Sequence, residues 1–433
     1  MTLQMILALG ILIFMIVLIM TDALPFGAPP ILASLLLVVA SALFGADWET
    51  QWDIEYAFAG FVNSTVWMVA FFMVVLAAAQ KTRLVGKLQE VMVQLVEKGG
   101  FKSYVLLILV VMLGASLMGN TTGYYMLILS LVATIPYNKK LPTSKLLMPL
   151  GFATGNALIP VNVAFQYALA VSVLDSVEYT GTVEMGAFSL MVFIASLGFF
   201  VWTVAGYKVL PDHPLAESND IAEVKETTYD MPAWQEYLTY ACFIISVAGM
   251  MLTSSLGTIA YVIPGLCAFV LLFAGVINFK EMREGIFSPL ILMMAGVIPI
   301  ANALADSGFT ALVGNAVAGI AGTGTPVFVI VLLFAFLTSA CATITGSNMG
   351  SVYIFAPIAA AACMSLGYSP VAAVAAITVA AWSGGFMPID GLPALIYGMG
   401  NYSMKEFWLY TIPMYIVKIV FLSVGACLAF GVL

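Results

Sequence analysis

Ten mostly apolar windows run through this chain, near 3–20, 27–45, 65–80, 146–174, 185–208, 237–254, 256–278, 288–304, 370–400 and 408–430. About 20 such residues span a bilayer core as a helix. No other feature limits the fold as strongly, because backbone polar groups in lipid must be satisfied within the segment. Composition agrees. The chain is 63% hydrophobic and 8% charged, where a soluble domain carries about 25% charge. An all-α polytopic membrane protein is expected.

Residues 1–20 lack a basic start and are long enough to span, so no cleavable signal is expected. The five cysteines stand singly, without C-x-x-C spacing, and suggest neither a metal site nor a disulfide framework. The only histidine, His213, falls in a polar loop. With no intramembrane histidine or paired acids, an enzyme is not expected. No phosphate-binding loop points to nucleotide drive, no cofactor is called for, and no nucleic acid partner is expected.

Lys and Arg mark the cytoplasmic face. Lys81, Arg83, Lys87, Lys98, Lys102, Lys139, Lys140, Lys145, Lys208, Lys225, Lys280, Arg283 and Lys405 fall on one side if both termini lie outside. The stretches 46–60, 175–184 and 305–325 carry no Lys or Arg and read as outer loops. Segment 83–98 is amphipathic and basic, fit to lie along the cytoplasmic surface. Residues 211–234 form the one long polar stretch, read as a cytoplasmic linker between halves 1–210 and 235–433.

The halves match at an offset of 228 residues. "LVG" at 84–86 recurs at 312–314, Asn120 aligns with Asn348, and "IPVN" at 159–162 aligns with "MPID" at 387–390. Each half holds five spans, an odd number, so the second is expected to insert upside down, as in inverted-repeat transporters. Two further apolar stretches, 103–135 and 325–365, are interrupted by "GNTT" and "GSN". They are long for one span and short for two, and read as re-entrant hairpins. Pro160 and Pro388 break the spans 146–174 and 370–400. Irregular backbone survives at membrane depth only inside protein or beside a cavity. The two tips and two breaks are therefore expected to meet, with freed carbonyls for a cation and helix N-termini for an anion.

At these residues the chain resembles the divalent-anion/sodium symporter family of the ion-transporter superfamily. The run "SNMGSVYIFAPI" at 347–358 is similar to the family's second Ser-Asn-Thr tip. Residues 386–413 resemble its broken helix and last span, and 58–82 the span before the first hairpin. The resemblance implies a homodimer moving a dicarboxylate-like organic anion with sodium by an elevator motion. It implies substrate contacts at Asn120, Thr121, Thr122, Ser347 and Asn348, with the backbone at Pro388 and Gly391. It implies sodium contacts at Asn120, Thr343, Gly346 and Asn348. A bacterial cytoplasmic (inner) membrane is the expected location.

The chain departs from the pattern at three hydroxyls. Gly119, Met349 and Gly391 stand where the family carries Ser, Thr and Thr. A site with fewer hydroxyls binds a small dianion less well, so a larger or different anion stays open. Asp390, with repeat mate Asn162, adds a carboxylate at membrane depth, functional by default. It could ligate sodium together with Asn162, carry a coupled proton, or pair with Lys418 in the last span. Lys418 itself reads first as a snorkelling residue. Asn156 is a candidate for the site, whereas Gln166 and Asn302 read as interhelical hydrogen-bonders. The leading expectation is a cation-coupled symporter for a di- or tricarboxylate-like anion. The alternative is a sodium/proton antiporter or a carrier of another anion.

Overall fold

The computed structural model describes all residues except 22, 26, 118–123, 127, 129–141, 143, 162, 178, 213–230, 323, 390 and 433. The described residues fold into helices and connecting turns alone. In the first half these are α1 (Leu3–Met20), α2 (Ala28–Phe44), α3 (Ile54–Ala57), α4 (Ser64–Ala79), α5 (Arg83–Lys98), α6 (Gly100–Ala115), α7 (Ser144–Ala153), α8 (Ala164–Ser176) and α9 (Met185–Ala205). The second half holds α10 (Ala233–Met251), α11 (Thr253–Leu256), α12 (Thr258–Phe273), α13 (Phe279–Ile286), α14 (Pro289–Asp306), α15 (Phe309–Ala321) and α16 (Val327–Thr345). It ends with α17 (Asn348–Ser365), α18 (Val371–Ala380), α19 (Gly391–Gly400) and α20 (Met404–Ala429).

Local chemistry sets many of these ends. Pro29 and Pro30 open α2, where a missing N–H costs nothing. Asn278 with Glu281, and Ser403 with Glu406, close capping boxes on α13 and α20. Among the described residues five helices are long and apolar enough to cross a membrane, including α16 and α17, so the stretch 325–365, expected to be short for two spans, holds two helices of spanning length.

The order of elements recurs. Helices beginning at Leu3, Ala28, Ser64, Arg83, Gly100, Ser144 and Ala164 have counterparts beginning at Ala233, Thr258, Pro289, Phe309, Val327, Val371 and Gly391. Each counterpart starts 225–230 positions later. Packing recurs with it: α2 lies on α14 and α12 on α4, while α1 touches α14 and α10 touches α4. The two broken segments cross, with α7 on α19 and α8 on α18. Helices α9 and α20, which correspond, pack along one another.

One expected loop is a helix. Residues 305–325 include α15, the counterpart of the amphipathic α5. Gly314 and Gly319 lower its intrinsic helix propensity, and with Gly308, Gly322 and Gly324 around it they hide it in the sequence. Packing of α15 against α17 supplies what propensity lacks.

Candidate functional site

The second hairpin turns on two residues. Gly346 ends α16 in the left-handed conformation (φ 71°), where a side chain is disfavoured. Ser347 then caps α17, its Oγ accepting from Gly350 N at 3.2 Å. Asn348, the first residue of α17, bridges to the second break. Its side-chain nitrogen donates to Ala381 O at 2.9 Å and its oxygen accepts from Trp382 Nε1 at 3.2 Å. Trp382 is held in turn by an edge contact with Phe165, 5.5 Å between centroids.

A hydroxyl near the end of α6 and another near the end of α16 each take a backbone N–H of a break, the first beside a backbone bond from Leu158 N to Met112 O at 2.9 Å. Ser116 Oγ, just past α6, accepts from Ile159 N at 3.0 Å. Thr343 Oγ1, in the last turn of α16, accepts from Gly385 N at 3.3 Å. The chain separations, 43 and 42 residues, are nearly equal. Gly385 takes a φ of 106° that a side chain would resist.

Between the breaks lies a cavity of about 320 Å³. Asn156 and Gln166 line it from the first half, Thr343, Asn348 and Lys418 from the second, with Gly155, Gly384 and Gly385 as bare backbone. Asn156 is buried, its Nδ2 donating to Phe152 O at 2.7 Å. Lys418 does not snorkel. It stands midway along the 26-residue α20 and is 5% exposed, with Nζ 6.0 Å from the Phe199 ring centroid. Gln166, expected to bond between helices, faces the cavity instead.

The expected site residues divide. Thr343 and Asn348 line the cavity. Gly346 and Ser347 build the hairpin turn behind it. Pro388 lies half-buried in the second break and Gly391 starts α19. Asn120, Thr121, Thr122, Asn162 and Asp390 lie outside the described residues. Ser116 went unnoticed in the sequence, although the repeat offset sets it one position from the mate of Thr343. A second cavity of about 370 Å³ lies at the far ends of α8 and α14, lined by Asn63, Asp175, Asn302 and Asp306. Tyr56 OH donates there to Asp306 Oδ2 at 2.7 Å.

A polar cavity walled by broken helices within an apolar helical bundle defines a membrane transporter. The chain belongs to the citrate transporter family, whose pattern matches residues 15–260 and 240–431. It is 30% identical over 177 residues to an uncharacterized transporter of Synechocystis, covering 39% of this chain and 27% of that one. It is 28% identical over 177 residues to the uncharacterized transporter YfbS of Escherichia coli, covering 41% and 28%. The chain thus spans less than a third of these relatives' length. Its fold is similar to the Alcanivorax borkumensis YdaH transporter, with TM-score 0.64, 18% identity, and 93% and 98% of the two chains covered. It is also similar to Neisseria gonorrhoeae MtrF, described as illuminating a class of antimetabolite efflux pumps. There the TM-score is 0.60, the identity 11% and the coverage 93% and 95%.

Proposed function

We propose that this protein is a secondary active transporter that couples a cation, sodium first, to movement of a di- or tricarboxylate-like organic anion. The observation that carries the reading is the cavity itself. Three amides, one hydroxyl and one ammonium converge there from both halves. Its volume sits at the small end of the range for small-molecule sites, about 300–1,000 Å³. Amide N–H groups and an ammonium suit carboxylate oxygens, since hydrogen bonds to an ionised acceptor are the strong ones. Thr343, Gly384 and Gly385 bring a hydroxyl and bare backbone to the cavity wall beside the Gly346 turn, and oxygen ligands of that kind suit a hard cation.

Alternating access follows from the same parts. The recurring order of elements, the odd number of spans in each half and the crossed broken helices support an inverted-repeat plan. The tip at Gly346 and Ser347 adjoins a cavity at the mid-level of α20, which supports a re-entrant second hairpin. Two hydroxyl latches let each hairpin and break travel as one body, as an elevator motion requires. A homodimer in a bacterial cytoplasmic membrane, with both termini outside, completes the proposal.

The test is uptake into proteoliposomes. Labelled citrate and succinate are offered with and without an inward sodium gradient. Accumulation that follows the gradient supports the symporter. Sodium efflux driven by a pH gradient, with no uptake of either anion, overturns it in favour of an antiporter.

A further inference from the structure

Lys418 is a charged group whose partner is missing among the described residues. Its side chain is nine-tenths buried, midway along α20, and lines the cavity. The ion pairs of the described residues, Lys81 with Glu281, Arg83 with Glu236, Lys145 with Asp212 and Lys280 with Glu284, leave it out. The Phe199 ring at 6.0 Å is at the outer limit of a cation–π contact and carries no net charge. A buried charge without a counter-charge is costly, and ionisable groups kept at membrane depth face a cavity or a partner. Here every other described side chain on the cavity wall is neutral.

We propose that Lys418 Nζ is the fixed cation of the transport site and binds a carboxylate oxygen of the transported anion. This rests on the anion-carrier reading above and adds the group that selects for charge. It also accounts for the hydroxyls missing at Gly119, Met349 and Gly391. An ammonium offers three donors and a full charge where the hairpin tips offer fewer hydroxyls. The ligand class is an organic anion with at least one free carboxylate, and neutral esters or amides of the same shape are excluded.

The experiment measures thermal unfolding of the purified full chain against rising citrate, succinate or sulfate, with succinamide as a neutral control. Lys418→Met keeps the length and apolar character of the stem, and Lys418→Arg keeps the charge. The expected result is anion-dependent stabilisation of the native chain, weakened at least tenfold in apparent affinity by Lys418→Met and less by Lys418→Arg. Equal stabilisation of the native chain and Lys418→Met overturns the inference and leaves the anion carrier standing. No response of the native chain to any of the three anions overturns the carrier reading and the inference with it. If Lys418→Met is too unstable to purify, Asp390→Asn is added. Recovery of a folded Lys418→Met/Asp390→Asn protein assigns the ammonium to an internal pair and overturns the inference. Without that recovery, Lys418→Gln, which keeps a polar stem without the charge, carries the test: anion affinity at least tenfold weaker than the native chain supports the inference, and affinity equal to it overturns the inference.

Discussion

The Thr343 hydroxyl occupies the space that a side chain on Gly384 would need. A methyl group there would overlap Oγ1 and crowd Ser339 O. Gly384→Ala should therefore lower stability by about 1–3 kcal/mol, the usual cost of overpacking. Thr343→Ala in the same chain should recover part of that loss, because the clash lies between these two groups. Thermal midpoints of the two single variants and the double variant close the cycle. Additive losses would sink the explanation.

The two latches predict a local effect on backbone opening. Thr343→Val removes the acceptor of a buried amide, Gly385 N, and should cost about 1–3 kcal/mol. Ser116→Ala should cost nearer 1 kcal/mol, because its bond to Ile159 N is only partly buried and water can replace it. Hydrogen exchange should quicken at Gly385 in the first variant and at Ile159 in the second. Unchanged exchange at both amides would remove the latches from the account.

Asn348 needs an amide rather than a carboxylate. Asp cannot donate to Ala381 O, and it adds a negative charge to a cavity that holds Lys418. Asn348→Asp should reduce anion uptake about tenfold or more, and more than Asn348→Ala does. The Trp382 emission, isolated as the difference from Trp382→Phe, should shift in Asn348→Ala, where its Nε1 loses its acceptor, and less in Asn348→Asp, whose carboxylate still accepts. Equal uptake by the Asp and Ala variants would argue that the charge at this position is unimportant.

Gly296 supplies a contrast from the other side of the molecule. A side chain there would strike Pro30 and Ile31, where α14 presses on α2. Ser34 Oγ bonds across the same contact to Gly296 O at 2.8 Å. Gly296→Ala should cost about 1–3 kcal/mol of stability, and Ser34→Ala about 1 kcal/mol. The KM of the surviving folded carrier should stay unchanged in both. A changed KM would mean that α14 takes part in the site.

Much of this architecture is legible in the residues. The apolar windows gave the helices to within a few positions, and the 228-residue offset, which aligns Asn120 with Asn348 and Pro160 with Pro388, anticipated the recurring order of elements. Propensity misled at α15, where glycines hid a helix that packing enforces. Lys418 was misread for a different reason. A lone lysine in an apolar helix is compatible with lipid, water or protein, and only the neighbours of α20 decide which. Ser116 escaped because a serine at a helix end usually bonds to its own backbone, and nothing nearby in sequence marks the amide of Ile159 as its guest.

The crossing of the broken segments bears on how the chain is made. Helix α7 rests on α19 and α8 on α18, so neither half owns a finished wall around the cavity. When the first half leaves the ribosome, its break at Thr154–Val163 meets the bilayer with its future partner still untranslated. The membrane must tolerate that half-built pore edge, or a helper must shield it, until some two hundred more residues arrive. Birth order thus becomes a hazard for this protein, one that lasts until α18 and α19 are made.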